Sequence, residues 1–423
     1  MKNKLHLSYR VLLNLLLAVM LLFSFGASAH AEENEPDLTA QYVYLYDPYT
    51  NQVLYEKNST ERMYPASMTK FMTAVVATEK LTDLDRRVTI SSEMLAGLSA
   101  RGASVAGYSV GDEPTVKDLL YAMLLPSGAD AANALAIASS GSLGGFAKEM
   151  NEMAARIGME HSHFTSPHGL HDDDHYTTAE DLGKLLTFAQ KNDLIREIIR
   201  TWKYEAGPVA SHPNGMTFFS TSLTIIQNGT VKIPGYDGGK TGFTGQAGRC
   251  LEFYAEINGM ELIAVVAKSR NDYESLQHLK DSGELMLWTG TTYARYEAEG
   301  PYRDITVQYI DSTETVHTYL PFKVEYDVRI AHPPVIEADI PETVEGDFHK
   351  QKLKYPVRVV LDDGTVLKEG VIEVVIPKEP EPVKRFWKLY GVYIACGIGA
   401  LALVIVLAAA ARPKKKKRKK KNA

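Results

Sequence analysis

Cysteine is scarce in this chain, with Cys250 and Cys396 standing alone among 423 residues. Cys396 lies within a long apolar run, so the two thiols are not expected to pair. A chain without a disulfide framework depends on its core for stability. Hydrophobic residues make up 45% of the sequence, enough for a sizeable core. Cys250 could be a nucleophile, but a free cysteine is usually a buried small apolar residue, and that interpretation is favoured.

Positive charge is scarce between the two ends of the chain. The net charge is −6 even though Lys414–Lys421 consists entirely of basic residues. The part between the ends is therefore acidic, which argues against a nucleic-acid partner. The basic tail alone would be compatible with nucleic-acid binding. Because it directly follows an apolar run, anionic lipid headgroups are its expected partner.

The N-terminus has the pattern of an export signal. Basic residues precede the apolar run Val11–Phe25, and an A-x-A pattern follows at Ala29–Ala31. We therefore expect residues 1–31 to be a secretory signal peptide. An uncleaved N-terminal anchor is the alternative.

The C-terminus has the pattern of a membrane anchor. The uncharged run Leu389–Ala411 is long enough, at about 1.5 Å per residue in a helix, to cross a hydrocarbon core. Trp387 and Tyr390 lie where an interfacial aromatic belt would be. The positive-inside rule places the basic tail, 412–423, in the cytoplasm. Signal and anchor thus predict a single-pass membrane protein whose main part is extracytoplasmic.

Hydrophobic periodicity predicts an α+β domain over residues 38–290. Two β-rich runs around a turn predict a hairpin at Tyr42–Tyr55, and a helix is expected to begin near Pro65–Ser67. Apolar residues then recur at helical spacing over Lys117–Leu125, Ala131–Ser139, Phe146–Ile157 and Ala179–Gln190.

The pattern changes after Gly239. Cys250–Ile257 and Glu261–Ala267 are predicted strands joined by an Asn-Gly turn, a strong hairpin signal, and Glu274–Trp288 is a predicted helix. Strands at both ends thus bracket a helical insertion. Short strands separated by turns predict a small all-β domain at 300–376, and a proline-rich linker, 377–388, leads to the membrane helix.

Ser67-Met68-Thr69-Lys70 is the first chemical motif. Residues i and i+3 share a helix face, so the Lys70 amine would lie beside the Ser67 hydroxyl. Serine needs a base to become a nucleophile, and lysine is neutral enough only when it is buried or faces another cation. The free N–H groups of a helix start would favour developing negative charge on an acylating carbonyl. The motif alone is weak evidence for catalysis, because an ordinary solvent-facing helix start could have the same sequence.

Two further motifs strengthen this interpretation. Lys240-Thr241-Gly242 could line an edge strand on which a peptide lies by β-addition, with Lys240 and Thr241 holding a carboxylate and Gly242 allowing close approach. Lys240 near Lys70 would also lower the pKa of Lys70. Ser127, in Ser127-Gly128-Ala129-Asp130, could relay a proton to a leaving amine. The alternatives are an ordinary turn with a surface lysine and a simple helix N-cap.

In this order, the three motifs resemble the set of penicillin-binding proteins and class A β-lactamases. More specifically, the chain resembles the low-molecular-mass penicillin-binding proteins, which are serine-type D-alanyl-D-alanine carboxypeptidases. The resemblance covers about residues 38–376, the first domain more specifically than the second. Besides the motifs, it rests on Tyr42–Tyr55, Tyr64–Ala66, Thr115–Leu120, Ser166–Leu170, His175–Ala179 and Thr244–Gly248.

The resemblance implies a β-lactamase/transpeptidase-like catalytic domain, an antiparallel sheet with a helical insertion, followed by the β-rich domain and a C-terminal transmembrane helix. It implies peptidoglycan stem peptides ending in D-Ala-D-Ala as substrate, β-lactam antibiotics as covalent inhibitors, and neither metal nor cofactor. The implied site residues are Ser67 as nucleophile, Lys70 as general base, Ser127 as proton shuttle, Lys240, Thr241 and Gly242 as carboxylate-binding strand, and the Phe243 amide as second oxyanion donor.

Two positions depart from the family pattern. Ala129 stands where the second motif has asparagine, which removes a hydrogen-bonding side chain; Asn133, one turn further on, is a candidate replacement. Phe243 stands where histidine is common, but only its backbone is needed. A β-lactamase is disfavoured because no E-x-x-x-N-like deacylating base is found, and a weakly catalytic wall-binding scaffold stays open because of Ala129.

The segment 161–175 is rich in histidine and aspartate and could suggest zinc. Its spacing fits neither H-E-x-x-H nor its relatives. A polar surface loop that borders the active-site cleft is therefore expected.

Overall fold

The computed structural model describes residues 35–270, 276–309, 312–346, 349–378 and 382–410. The predicted signal peptide and basic tail lie outside the described residues. The chain divides into two compact units, one of Met1–Arg295 with Asp327–Ala331 and the other of Tyr296–Tyr326 with His332–Ala423.

The helices are, in chain order, α1 (Thr69–Lys80), α2 (Ser92–Leu95), α3 (Val116–Leu124), α4 (Ala129–Ser140), α5 (Leu143–Arg156), α6 (Ala179–Ala189), α7 (Asp193–Arg200), α8 (Thr221–Gln227), α9 (Gln277–Thr292) and α10 (Pro382–Ala410). The strands are β1 (Tyr42–Asp47), β2 (Gln52–Lys57), β3 (Lys203–Ala206), β4 (Met216–Phe219), β5 (Tyr236–Thr244), β6 (Gly248–Ile257), β7 (Met260–Ser269), β8 (Tyr293–Ala298), β9 (Pro301–Gln308), β10 (Thr313–Tyr319), β11 (Val324–Arg329), β12 (Val335–Ala338), β13 (Thr343–Glu345), β14 (Gln351–Val360) and β15 (Val366–Ile376).

An antiparallel five-stranded sheet, in the order β2-β1-β7-β6-β5, is the centre of the first unit. Strand β1 comes before the helical insertion in the sequence and β7 comes after it. The two strands pair, so the sheet joins the two parts of the sequence on either side of the insertion. The β6–β7 turn has positive φ at Asn258 (48°) and Gly259 (78°), as a two-residue hairpin turn requires. Strand β5 is an edge strand of this sheet.

Successive side chains along each strand point to opposite faces of the sheet, and each face packs against its own hydrophobic core. On β6, Cys250 and Tyr254 face a large helical core, whereas Leu251 and Phe253 face a smaller core that α9 covers. Helices α1 and α3 to α6 pack in the larger core, where Phe71 of α1 is fully buried. The buried thiol of Cys250 agrees with its interpretation as a small apolar residue, and burial raises its pKa to about 12.

Helix prediction is accurate where apolar periodicity is long. Helices α3, α4, α5 and α6 lie within three residues of their predicted bounds. Thr115 and Thr178 cap α3 and α6 by accepting from backbone N–H groups three residues on. The β3–β4 hairpin and α8 were not predicted, because each is too short to show a period.

The second unit contains two three-stranded sheets, β10-β9-β13 and β12-β14-β15. Alternate residues of their strands, such as Ile305, Val357 and Ile372, form its core. Helix α10 begins at Pro382, within the segment predicted as an extended linker; proline is well suited to a first helical position. Within α10, Tyr390–Leu407 is long and apolar enough to cross a membrane, and none of its residues is buried.

Candidate active site

Ser67 lies in a single 3-10 turn, Ala66–Met68, directly before α1. Lys70 is in the first turn of α1, and its Nζ donates to Ser67 Oγ at 3.0 Å. The contact that the i, i+3 spacing predicts is therefore present.

Burial and a neighbouring lysine favour the neutral form of Lys70. Its side chain is 1% exposed, and its Nζ also donates to the His168 carbonyl oxygen at 2.8 Å. Burial lowers the pKa of Lys70 well below its ordinary value, the charge of Lys240 lowers it further, and Asp130 acts in the opposite direction. A neutral amine at this position can accept the Ser67 proton.

The residue before the nucleophile has a strained backbone. Ala66 has a φ of 48°, in the left-handed region that non-glycine residues avoid. Its carbonyl accepts from Thr69 Oγ1 at 2.7 Å, and His175 Nε2 lies 2.8 Å from that hydroxyl. The Thr165 N–H donates to His175 Nδ1 at 3.0 Å, so Nε2 carries the ring proton and donates to Thr69. A buried chain of hydrogen bonds thus holds the strained turn.

Gly169 packs against the same carbonyl. Its φ is 77°, and a Cβ there would lie 1.8 Å from the Ala66 oxygen. We expect Gly169→Ala to push the nucleophile turn out of place and to lower the acylation rate by a fluorescent penicillin about 100-fold. Gly158→Ala is the matched control, since Gly158 has a φ of 81° but open space around its Cβ position. Equal acylation rates in both variants would contradict this role for Gly169.

Ser127 lies between α3 and α4 with a φ of 69°. It is not an N-cap, because Gly128 occupies that position in α4. The buried Asp130 carboxylate accepts from the N–H groups of Ala106 at 2.7 Å and Gly107 at 2.9 Å, which fixes the loop facing this turn. No role was predicted for Asp130 from the sequence. Its position as the fourth residue of the second motif is the sequence feature that could have indicated one.

Asn133 does not take the place of the missing motif asparagine. Its Nδ2 donates to the Met94 carbonyl at 2.9 Å, and Asn133 is not among the residues that line the cavity. Ala129 does line the cavity. The hydrogen-bonding side chain lost at Ala129 is therefore not replaced from the next turn of α4.

The third motif lies in edge strand β5, which is Tyr236–Thr244. Lys240 is 1% exposed and its Nζ donates to the Thr241 carbonyl at 3.1 Å. Burial lowers the pKa of Lys240 to about 8, and Glu252 acts in the opposite direction. Thr241 Oγ1 lies 2.9 Å from Thr221 Oγ1, a partner that sequence reasoning missed. A Cβ at Gly242 would lie 3.1 Å from the Pro65 oxygen, so glycine permits the approach of β5 to the nucleophile turn.

One cavity of about 310 Å³ brings residues of all three motifs together. Of the predicted site residues, its wall contains Ser67, Lys70, Ser127, Thr241, Gly242 and Phe243. Lys240 is buried and is not part of the wall. Residues not predicted from sequence, including Ser104, Ile225, Arg249 and His278, complete the lining.

The histidine-rich segment 161–175 was predicted to be a polar surface loop, but only part of it lies at the surface. His168 and His175 are buried, and burial lowers their pKa values to about 3 and about 4. Both therefore stay neutral and act as hydrogen-bonding groups at the site. Within the part of the chain that the structure describes, no group of three or more His, Cys, Asp or Glu side chains is placed to hold a metal ion.

Comparison with known proteins identifies the family. The model of the Peptidase_S11 family, D-alanyl-D-alanine carboxypeptidase, matches residues 29–271. The chain belongs to the D-alanyl-D-alanine carboxypeptidase family. The predicted resemblance to this family is therefore confirmed, and the family is one of serine peptidases.

Curated relatives in this family match about 60% of this chain. The D-alanyl-D-alanine carboxypeptidase DacF of Bacillus subtilis is 34% identical over 263 residues, which are 61% of this chain and 65% of DacF. The chain thus spans slightly less than two thirds of that relative's length. The D-alanyl-D-alanine carboxypeptidase of Streptomyces sp. strain K15 is 34% identical over 254 residues, 58% of this chain and 86% of that protein.

Solved structures of the family agree on the fold. The crystal structure of the Streptomyces K15 DD-transpeptidase matches with a TM-score of 0.55 and 30% identity, covering 60% of this chain and 98% of that one. Penicillin-binding protein 5 from Haemophilus influenzae matches with a TM-score of 0.59 and 24% identity, covering 81% and 99%. The predicted transpeptidase-like fold is therefore confirmed.

Proposed function

We propose that this chain is a serine-type D-Ala-D-Ala carboxypeptidase that removes the terminal D-alanine from peptidoglycan stem peptides. The observation that carries the proposal is the 3.0 Å contact between Lys70 Nζ and Ser67 Oγ in a cavity that also contains Ser127 and the β5 edge. Membership of the family supports the same activity.

Acylation begins when the neutral Lys70 amine takes the Ser67 proton and Ser67 Oγ attacks the carbonyl of the penultimate D-Ala. The backbone N–H groups of Ser67 and Phe243 stabilise the resulting oxyanion. Ser127 passes the proton from Lys70 to the departing D-alanine nitrogen as the amide bond breaks. Water then attacks the ester, its proton returning through Lys70 to Ser67 Oγ, and the shortened peptide leaves with a free carboxylate.

The β5 edge holds the substrate in this scheme. The peptide adds to β5 as an extra strand, and Thr241 contacts the terminal carboxylate while Gly242 allows close approach. Lys240 contributes positive charge from its buried position. A β-lactam acylates Ser67 by the same attack, since its strained amide stands in for the scissile bond, and so acts as a covalent inhibitor.

We propose that the remaining segments anchor the enzyme in the cell membrane. We infer that 38–290 is the catalytic domain, 300–376 a separate all-β domain, and 389–411 a single transmembrane helix. The apolar, exposed stretch Tyr390–Leu407 supports the anchor. With 1–31 as a secretory signal and 412–423 as a cytoplasmic tail, the catalytic domain lies outside the membrane, where peptidoglycan is.

Release of D-alanine from a diacyl tripeptide ending in D-Ala-D-Ala tests the proposal. We expect the purified chain to release D-alanine and to be labelled at one site by a fluorescent penicillin. A β-lactamase would instead turn the penicillin over rapidly, and a wall-binding scaffold would neither release D-alanine nor take up label. Either of these results would contradict the carboxypeptidase assignment.

A further inference from the structure

Glu252 is a buried carboxyl group without a hydrogen-bond partner. It lies in the middle of β6 and is 0% exposed. Both of its carboxylate oxygens are buried, and neither has a hydrogen-bond partner in the described part of the structure. An unpaired buried carboxylate costs several kcal/mol in general, so its presence calls for an explanation.

Glu252 lies on β6, next to the strand β5 that borders the active-site cavity. In the antiparallel β5–β6 pair it stands directly opposite Lys240. Side chains at such opposed positions lie on the same face of the sheet with their Cβ atoms about 5 Å apart. Lys240 is also buried, and its charge in turn lowers the pKa of Lys70. Three buried titratable groups therefore form a series from the sheet interior to the nucleophile.

The other groups around Glu252 leave Lys240 as its main counter-charge. On β6 itself, Cys250 and Tyr254 share its face, and both are buried and neutral. From β7 the opposed residue is Val265, which is apolar. Arg196 of α7 stacks against the Tyr254 ring, 6.0 Å from its centroid. On α1, Lys70 is the titratable group whose pKa the charge of Lys240 lowers.

The electrostatics of the Glu252–Lys240 pair are reciprocal. Burial raises the pKa of Glu252 well above its ordinary value, and the charge of Lys240 lowers it. Conversely, burial lowers the pKa of Lys240 to about 8, and Glu252 raises it. Each group therefore favours the ionised form of the other, and loss of one makes the other easier to neutralise.

We propose that Glu252 is a positioning residue of the active site: its carboxylate holds the proton on Lys240, and the charge of Lys240 holds Lys70 neutral. The inference rests on the proposed acylation by Ser67 and extends it. It gives a reason for a carboxyl group at a fully buried position of β6, next to the strand proposed to bind an anionic substrate. Glu252 acts through Lys240 and does not touch the reacting atoms.

Glu252→Gln tests this role through the pH profile of penicillin acylation. Without the carboxylate, Lys240 loses its proton more readily, so the alkaline limb moves to lower pH. On the acid side Lys240 regains its proton in the variant as well, so the acid limb is expected to move little. We expect the profile to narrow by about one pH unit, mainly on its alkaline side. Glu252→Asp, which keeps the charge, is expected to retain most of the wild-type width.

Controls separate this role from a structural one. Glu256→Gln, at an exposed position of the same strand, is expected to leave the profile unchanged. A second neutral variant, Glu252→Met, is expected to narrow the profile as Glu252→Gln does, and thermal unfolding shows which variants fold. In a Lys240→Gln background, Glu252→Gln is expected to add no further shift.

Three results would overturn the proposal. A Glu252→Gln profile of wild-type width would show that the buried pair is neutral, and an equal loss of rate at every pH would show a purely structural role. A further shift in the Lys240→Gln background would show that Glu252 does not act through Lys240. Failure of the proposed function itself is distinguishable, because the wild-type chain would then take up no label at any pH.

Discussion

Ser67→Ala is expected to abolish both covalent labelling by a fluorescent penicillin and release of D-alanine, with a loss of roughly 10⁴-fold or more. No acyl ester can form without Oγ, and the oxyanion donors alone cannot supply a nucleophile. The fold should be unaffected, because Ser67 is only half-buried and its Oγ accepts from the neighbouring Lys70. Intact-mass spectrometry after penicillin exposure measures the loss directly as the disappearance of a single adduct.

Ser99→Ala is a suitable control for this variant, since Ser99 is exposed and does not line the cavity. It should form the adduct at the wild-type rate. In the wild-type chain, peptide mapping should place the adduct on Ser67. An adduct on Ser127 or Cys250, or D-alanine release by Ser67→Ala at the wild-type rate, would show that the nucleophile is another residue.

The contact between Ser67 and Lys70 was predictable because it is local. Helical periodicity alone places residues i and i+3 side by side, and the N–H groups of a helix start are free in any protein. The same holds for helices α3 to α6, whose apolar repeat extends over several turns. In each case neighbouring residues in the sequence are neighbours in space.

The strain at Ala66 was not predictable because its cause is distant in sequence. The left-handed turn is held by Gly169 and by His175, about a hundred residues further along the chain. The letters of this segment suggested a polar surface loop or a zinc site, since nothing in them shows that two of its histidines are buried. The family resemblance included parts of this segment, but only the structure shows that Gly169 and His175 hold the turn at Ala66.

The position of Lys240 was predicted only in part. The letters Lys-Thr-Gly suggested a lysine that contacts the substrate, but the alternation of β5 turns Lys240 inward and leaves Thr241 on the cavity wall. Glu252 lies opposite Lys240 only because of the β5–β6 register. The register between two strands cannot be predicted from either strand alone. The buried pair of Lys240 and Glu252 was therefore not predicted from the sequence.

Lys70→Met is the second variant with a large expected effect. Methionine fills a similar volume without an amine, so the buried space stays occupied while the base is lost. We expect penicillin acylation to slow about 1,000-fold, within the range for loss of a general base. Stopped-flow fluorescence of labelling, or time-resolved mass spectrometry, measures the rate. Lys80→Met, at the exposed end of the same helix, is the matched control and should acylate normally.

The pH dependence shows whether Lys70 acts as a base or only as a charge. Burial and the charge of Lys240 lower the pKa of Lys70, so this amine gains its proton at a lower pH than an ordinary lysine does. Wild-type acylation should therefore decline on the acid side, and the residual rate of Lys70→Met should lack that decline. Lys70→Arg keeps a permanent positive charge and cannot accept a proton, so it should be as slow as Lys70→Met. If Lys70→Arg acylated at the wild-type rate, the amine would be needed for its charge, and the Ser67 proton would have to leave by another route.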